Sequence, residues 1–240
     1  MTAVQLHQVA YRFGNHFSIA PLSIDFPQNQ ITAIAGKSGS GKSTLLKLMN
    51  GLLLPTEGEV RVFGEALNYS NIQAMRLKCG YMVQGSGLFP HLSVNENISI
   101  PARIAGQPID SQRVEELMQL VSLPLSYQNK YPHQLSGGEQ QRVAICRALY
   151  LDPPLLLMDE PFGALDPITR SEIHDEMKKL QQLKPRTVVL VTHDMMEARR
   201  LADHLLILQH GQVLQFDETE KVFQSPAHES IRKMLNVAVA

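Results

Sequence analysis

The chain has 240 residues and carries 22 basic against 23 acidic side chains, a net charge of −1. That balance gives no electrostatic case for nucleic-acid binding, and no apolar run approaches the roughly 20 residues of a membrane-spanning helix. The length suits one α/β domain over residues 1–240. Cys79 and Cys146, isolated in apolar segments with no signal peptide ahead of them, read as buried, reduced, cytosolic thiols.

Residues 4–26 alternate loosely as two strands, with Leu6 in the first and Ile19, Leu22, Ile24 and Phe26 around the second. This predicts an N-terminal antiparallel β region. Residues 31–35 are short, apolar and β-branched, a buried strand, and 44–49 read as helix. Between them stand Gly36, Lys37, Ser38, Gly39, Ser40, Gly41, Lys42 and Ser43, a complete phosphate-binding loop running into Thr44. A polyphosphate is densely anionic, so its site needs many donors and no bulky side chains. The glycines let successive backbone N–H groups face the phosphates, Lys42 supplies a cation, and the Ser43 hydroxyl can ligate Mg²⁺. The following helix adds the partial positive charge of its N-terminus.

Further strands are expected near 79–83, 155–159, 187–192 and 204–208, with helices between them. Residues from about 85 to 150 form a helical insertion, in which Val114, Leu117, Met118 and Val121 give a one-faced helix. Ser136 precedes Glu139 by three residues, a capping box ahead of a helix to Leu149. Capping does not explain Gly137 and Gly138, which leave that helix start open to an approaching phosphate. The strand at 155–158 delivers Asp159 and Glu160 at its carboxyl end, where ligands of parallel sheets gather. Asp159 can hold Mg²⁺ through water and Glu160 can orient or deprotonate an attacking water; a solvated acidic turn is the alternative. His193 ends the next apolar strand. Ile173, Met177 and Leu180 mark a second one-faced helix, and a hairpin near Gly211 and a short helix over 230–235 close the chain.

With these motifs in this order, the chain resembles the ATP-binding cassette family over nearly its whole length. The resemblance rests on the phosphate loop, on Leu135-Ser136-Gly137-Gly138-Glu139-Gln140-Gln141-Arg142, on Asp159-Glu160, on Ala164-Leu165-Asp166 and on His193. It implies a P-loop NTPase (RecA-like) core with the antiparallel region and inserted helical subdomain, and no added regulatory domain. It also implies ATP and Mg²⁺. Two cassettes would pair head to tail, each ATP lying between one phosphate loop and the partner's Ser136-Gly137-Gly138. By the same resemblance Glu160 is the general base, His193 senses the γ-phosphate, Gln84 joins Mg²⁺ to the partner-binding groove, and Tyr11 stacks on adenine.

Residues 87–98 resemble the groove where transporter cassettes receive a helix of the membrane subunit, so permease docking is expected over 84–97. The run from Asp159 to Pro167, with Phe162-Gly163-Ala164, resembles bacterial importers, whereas Glu139 stands where importers often carry Gln. Asp166-Pro167-Ile168-Thr169-Arg170 looks most like importers of glycine betaine, carnitine or choline, fed by an extracytoplasmic solute-binding protein. Importers of polar amino acids or of nitrate- and sulfonate-type anions, and cassettes of lipoprotein export or cell division, are the alternatives. The expected location is peripheral, on the cytoplasmic face of the inner membrane.

Overall fold

A computed structural model describes residues 1–14 and 16–239. The strands are β1 Thr2–Phe13, β2 His16–Pro27, β3 Ile31–Ala35, β4 Glu57–Val62, β5 Glu65–Ala66, β6 Cys79–Met82, β7 Leu155–Asp159, β8 Thr187–Val191, β9 His204–Gln209 and β10 Gln212–Glu218. The α-helices are α1 Lys42–Met49, α2 Ile72–Leu77, α3 Val94–Ile104, α4 Ser111–Leu120, α5 Gly137–Leu149, α6 Pro167–Leu183, α7 Met195–Leu201, α8 Thr219–Gln224 and α9 Glu229–Val239. The chain divides into two compact units, one of Met1–Met75 with Arg186–Ala240 and one of Arg76–Pro185.

The first unit holds the expected antiparallel region, in which β1 pairs with β2 and with β4 and β4 pairs with β5. Leu6, Ile19, Leu22, Ile24 and Phe26 are all buried there, as their alternation predicts. In its other sheet β3 lies between β8 and β9, parallel to both, and β10 closes the edge antiparallel to β9. Every residue of β3 and β8 is buried, which is why both read as unbroken apolar runs.

In the second unit β6 and β7 pair in parallel. Helices α3, α4 and α5 lie within the stretch expected to be helical. Val114, Leu117, Met118 and Val121 face its core together with Ile98, Val143 and Leu149. On α6, Ile173 and Met177 are buried while Leu180 is half-buried. Cys146 is fully buried with its thiol on the Leu117 carbonyl at 3.2 Å; Cys79 is half-buried, and neither forms a disulfide. Among the described residues, no helix is long and apolar enough to cross a membrane.

Candidate functional site: a phosphate loop and a braced acidic turn

On the first unit, Ile34 of β3 lies opposite Val191 of β8, and the Thr192 N–H donates to the Ile34 carbonyl at 3.1 Å. The phosphate loop and His193 therefore leave the same edge of the sheet. His193 is exposed, while the Asp194 carboxylate caps α7 by accepting from the N–H groups of Met196 and Glu197.

The loop is held in shape by hydrogen bonds within its own chain. Lys42, only 7% exposed, donates from Nζ to the carbonyls of Gly36 at 2.8 Å and Lys37 at 3.0 Å, so its ammonium spans the loop from within. Gly41 takes φ 104°, and a Cβ there would sit 2.7 Å from Ile19 Cδ1 and 2.8 Å from the Ser18 carbonyl. Only glycine meets both demands. The turn between β9 and β10 supports the loop from below, with Gly211 donating to the Ser40 carbonyl at 2.9 Å. The Ser40 hydroxyl is buried and finds no hydrogen-bond partner among the described residues, the condition a phosphate oxygen corrects. Lys37, Ser38 and Gly39 are exposed; Ser43 and Thr44 begin α1, with Thr44 Oγ1 3.3 Å from Ser18 Oγ. Tyr11 is half-buried, whereas Phe13, two residues later on the same strand, is 78% exposed.

On the second unit, Met82 of β6 lies opposite Met158 of β7, so Gln84 and the Asp159–Glu160 pair also leave one common edge. Asp159 is 3% exposed and Gln84 is exposed. The phenol of Tyr81, on β6, is pushed up to about 12, first by burial and then by the carboxylate of Asp159 and by Cys79. It stays neutral at any physiological pH. Glu160 adopts φ 50°, an uncommon backbone for a residue with a side chain.

Ser136 caps α5 as the sequence predicts. Its hydroxyl accepts from the Glu139 N–H at 3.3 Å, and its own N–H donates to the Glu139 carboxylate at 2.7 Å. That second bond holds the Glu139 carboxyl below its ordinary 4.5. A Gln would fill the cap equally well, so the departure from the importer pattern costs the helix start nothing. The two glycines differ. Ser136 and Gly137 are exposed, but a Cβ on Gly138 would lie 3.0 Å from the Ala164 carbonyl, so this glycine also makes room for the turn after β7.

Three residues of α5 make contacts for which the sequence alone gives no role. Gln141 reaches the Glu160 carbonyl, Gln140 accepts from Ser86 Oγ at 3.0 Å, and Arg147 donates to the carbonyls of Gly87 at 2.9 Å and Ser86 at 3.1 Å. Asn97, fully buried, pins the segment after Gln84 by accepting from the Phe89 N–H and donating to the carbonyls of Phe89, Leu92 and Ser93. The signal available was position. Gln141 shares a helical stripe with buried Ile145 and Ala148, and Asn97 stands beside buried Val94 and Ile98. Beyond this segment opens a groove of about 450 Å³ lined by Phe89, His91, Leu92, Ile100, Arg103 and Ile104. Phe89 is 42% exposed there and belongs to the surface, not the core.

The ABC transporter model matches residues 19–163, which contain the phosphate loop, the α5 cap and the acidic pair. The chain belongs to the ABC transporter family. The glycine betaine uptake system ATP-binding protein YehX of Escherichia coli is 42% identical over 96% of this chain and 75% of its own length. The glycine betaine/carnitine/choline transport ATP-binding protein OpuCA of Bacillus subtilis is 39% identical over 97% of this chain. The chain spans only 62% of that relative's length. Among solved structures, the dimeric cassette MJ0796 in a post-hydrolysis state bound to ADP and Pi superposes with a TM-score of 0.84 at 34% identity. The match covers 90% of this chain and 98% of that one. The fold is that of an ABC ATPase cassette, a P-loop NTPase.

For Mg²⁺, no group of three or more His, Cys, Asp or Glu side chains among the described residues is arranged to hold a metal. The donors present at the loop suit an ion that shares its coordination with phosphate oxygens and water.

Proposed function

We propose that this chain is the ATP-hydrolysing subunit of an importer of quaternary amines such as glycine betaine, carnitine or choline. The observation that carries the reading is a self-braced phosphate loop and, separately, an open, capped helix start, in a chain similar to cassettes named for these solutes. Two copies pair head to tail, and each ATP is closed between one copy's residues 36–44 and the other's Ser136, Gly137 and Gly138. ATP thus closes the dimer and hydrolysis opens it, a two-state element biased by one ligand.

In the reaction, Glu160 takes a proton from water as its oxygen attacks the γ-phosphorus and the bond to the β-phosphate oxygen breaks. Lys42 and His193 donate to the γ-phosphate, where charge develops. Mg²⁺, held by the Ser43 hydroxyl, Gln84 and Asp159, would neutralise phosphate charge. An aromatic of the β1–β2 hairpin stacks on adenine; Tyr11 is the sequence-based choice, and Phe13 is the more exposed ring. The groove beside Phe89 receives a helix of the permease, in keeping with an apolar surface next to the Gln84 segment. The cassette sits peripherally on the cytoplasmic face of the membrane, and a solute-binding protein with an aromatic cage selects the amine outside.

The test is uptake of labelled glycine betaine, choline and carnitine by osmotically stressed cells carrying Glu160→Gln in place of the native residue. Uptake is expected to fall to background, and Phe89→Asp is expected to abolish it as well. Normal amine uptake with loss of amino-acid or oxyanion uptake would overturn the substrate class.

A further inference from the structure

The carboxylate assigned as base sits on an awkward piece of chain. Glu160 holds φ 50°, and the turn behind it is closed by two main-chain bonds, a long one from the Gly163 N–H to the Glu160 carbonyl at 3.4 Å and one from the Leu165 N–H to the Phe162 carbonyl at 3.1 Å. A side-chain-bearing residue in this region is disfavoured and persists only where its surroundings hold it.

The Gln141 side chain braces it. The Gln141 carboxamide, 4% exposed, donates from Nε2 to the Glu160 carbonyl at 2.7 Å and accepts at Oε1 from the Ala164 N–H at 2.7 Å. It spans the turn with one donor and one acceptor, both bonds short, from a carboxamide that is itself buried. No other side chain of this length offers a neutral donor and acceptor in one plane. The same turn is packed against the start of α5, where the Gly138 position leaves 3.0 Å between a Cβ and the Ala164 carbonyl. The helix start and the turn move as one piece.

We infer that Gln141 is a positioning residue for Glu160, fixing its backbone so that the carboxylate is aimed at the attacking water. This rests on the reading of Glu160 as base and of the cassettes as a head-to-tail pair. It adds a consequence. The helix start that closes on the partner's ATP is tied, one turn along α5, to this copy's own Glu160. Occupancy of one site therefore sets the geometry of the base in the other.

The test compares Gln141→Met, which keeps the length and loses both hydrogen bonds, with Glu160→Gln and with the double variant, using purified full-length protein, ATP and Mg²⁺. For Gln141→Met, kcat is expected to fall about tenfold to a hundredfold, the scale of one or two unmet buried hydrogen bonds, with KM for ATP within about twofold. The Hill coefficient for ATP should drop towards one. In the Glu160→Gln background the second substitution should change single-turnover hydrolysis by less than about twofold, since it acts through the carboxylate already removed. If Gln141→Met does not fold, Gln141→Glu replaces it, keeping the acceptor for Ala164 and losing the donor to Glu160, with the same fall in kcat expected. A normal kcat, a rise in KM that matches the loss, or a further fall in the double variant would each overturn the positioning role. Normal hydrolysis by Glu160→Gln alone would instead overturn the base assignment on which it rests.

Discussion

In the phosphate loop the left-handed backbone falls on glycine, at Gly39 and Gly41, whereas in the turn after β7 it falls on Glu160. The two regions face one problem, an uncommon main-chain shape that must be held firmly, and they solve it differently. Where the backbone N–H groups are themselves the ligands, side chains are in the way and glycine is the answer. Where the side chain is the reagent, glycine is ruled out and a neighbour must hold the shape, here the Gln141 carboxamide. The first unit's loop is a main-chain device stiffened by Lys42; the second unit's turn is a side-chain device. Damage to the former should remove binding, and damage to the latter should remove turnover while binding survives.

Gly41→Ala breaks the main-chain device most severely. It adds a Cβ 2.7 Å from Ile19 Cδ1 at a φ that disfavours alanine. Strain of about 2–4 kcal/mol is expected, weakening ATP affinity by about 30- to 1,000-fold in equilibrium titration. Binding within a few-fold of normal would show that the loop tolerates a Cβ at this position. A smaller effect separates the two hairpin aromatics. Replacing whichever ring stacks on adenine with Ala should cost about 0.5–1.5 kcal/mol, a few-fold to tenfold in ATP affinity. Phe13→Ala outweighing Tyr11→Ala would favour the exposed ring, and the reverse would favour the half-buried one.

The smallest effect concerns the cap of α5. Because the Ser136 N–H holds the Glu139 carboxyl below its ordinary 4.5, the ionised cap stabilises the fold above that value and is lost as pH falls through the depressed one. Thermal stability of the native protein should therefore decline as pH falls below about 4.5 more than that of Glu139→Gln, whose amide does not titrate. Parallel curves for the two proteins would remove the carboxylate from the account of the cap.

Much of this molecule is legible in its sequence because local chemistry dictates it. The buried runs of β3, β7 and β8 announce strands covered on both faces, the loop from Gly36 to Ser43 has few alternative uses, and Ser136 with Glu139 writes its own cap. What stayed hidden is tertiary. A glutamine in a helix reads as solvent-facing, and only its place on the stripe of Ile145 and Ala148 hints that Gln141 turns inward. Asn97 is concealed in the same way beside Val94 and Ile98. Gly138 was read as openness for a phosphate, while its nearest neighbour is the Ala164 carbonyl of its own chain. Pairing between β1 and β2 is irregular, the register shifting between Tyr11 and Arg12, and alternation alone does not reveal such a shift just before exposed Phe13.

The most direct test of the central claim is the oligomeric state of Glu160→Gln at saturating ATP and Mg²⁺, measured by light scattering alongside phosphate release. The account predicts a dimer that forms with ATP and not with ADP, and turnover about 10²–10⁴-fold below that of the native protein. A protein that stays monomeric with ATP while releasing phosphate at the native rate would contradict it.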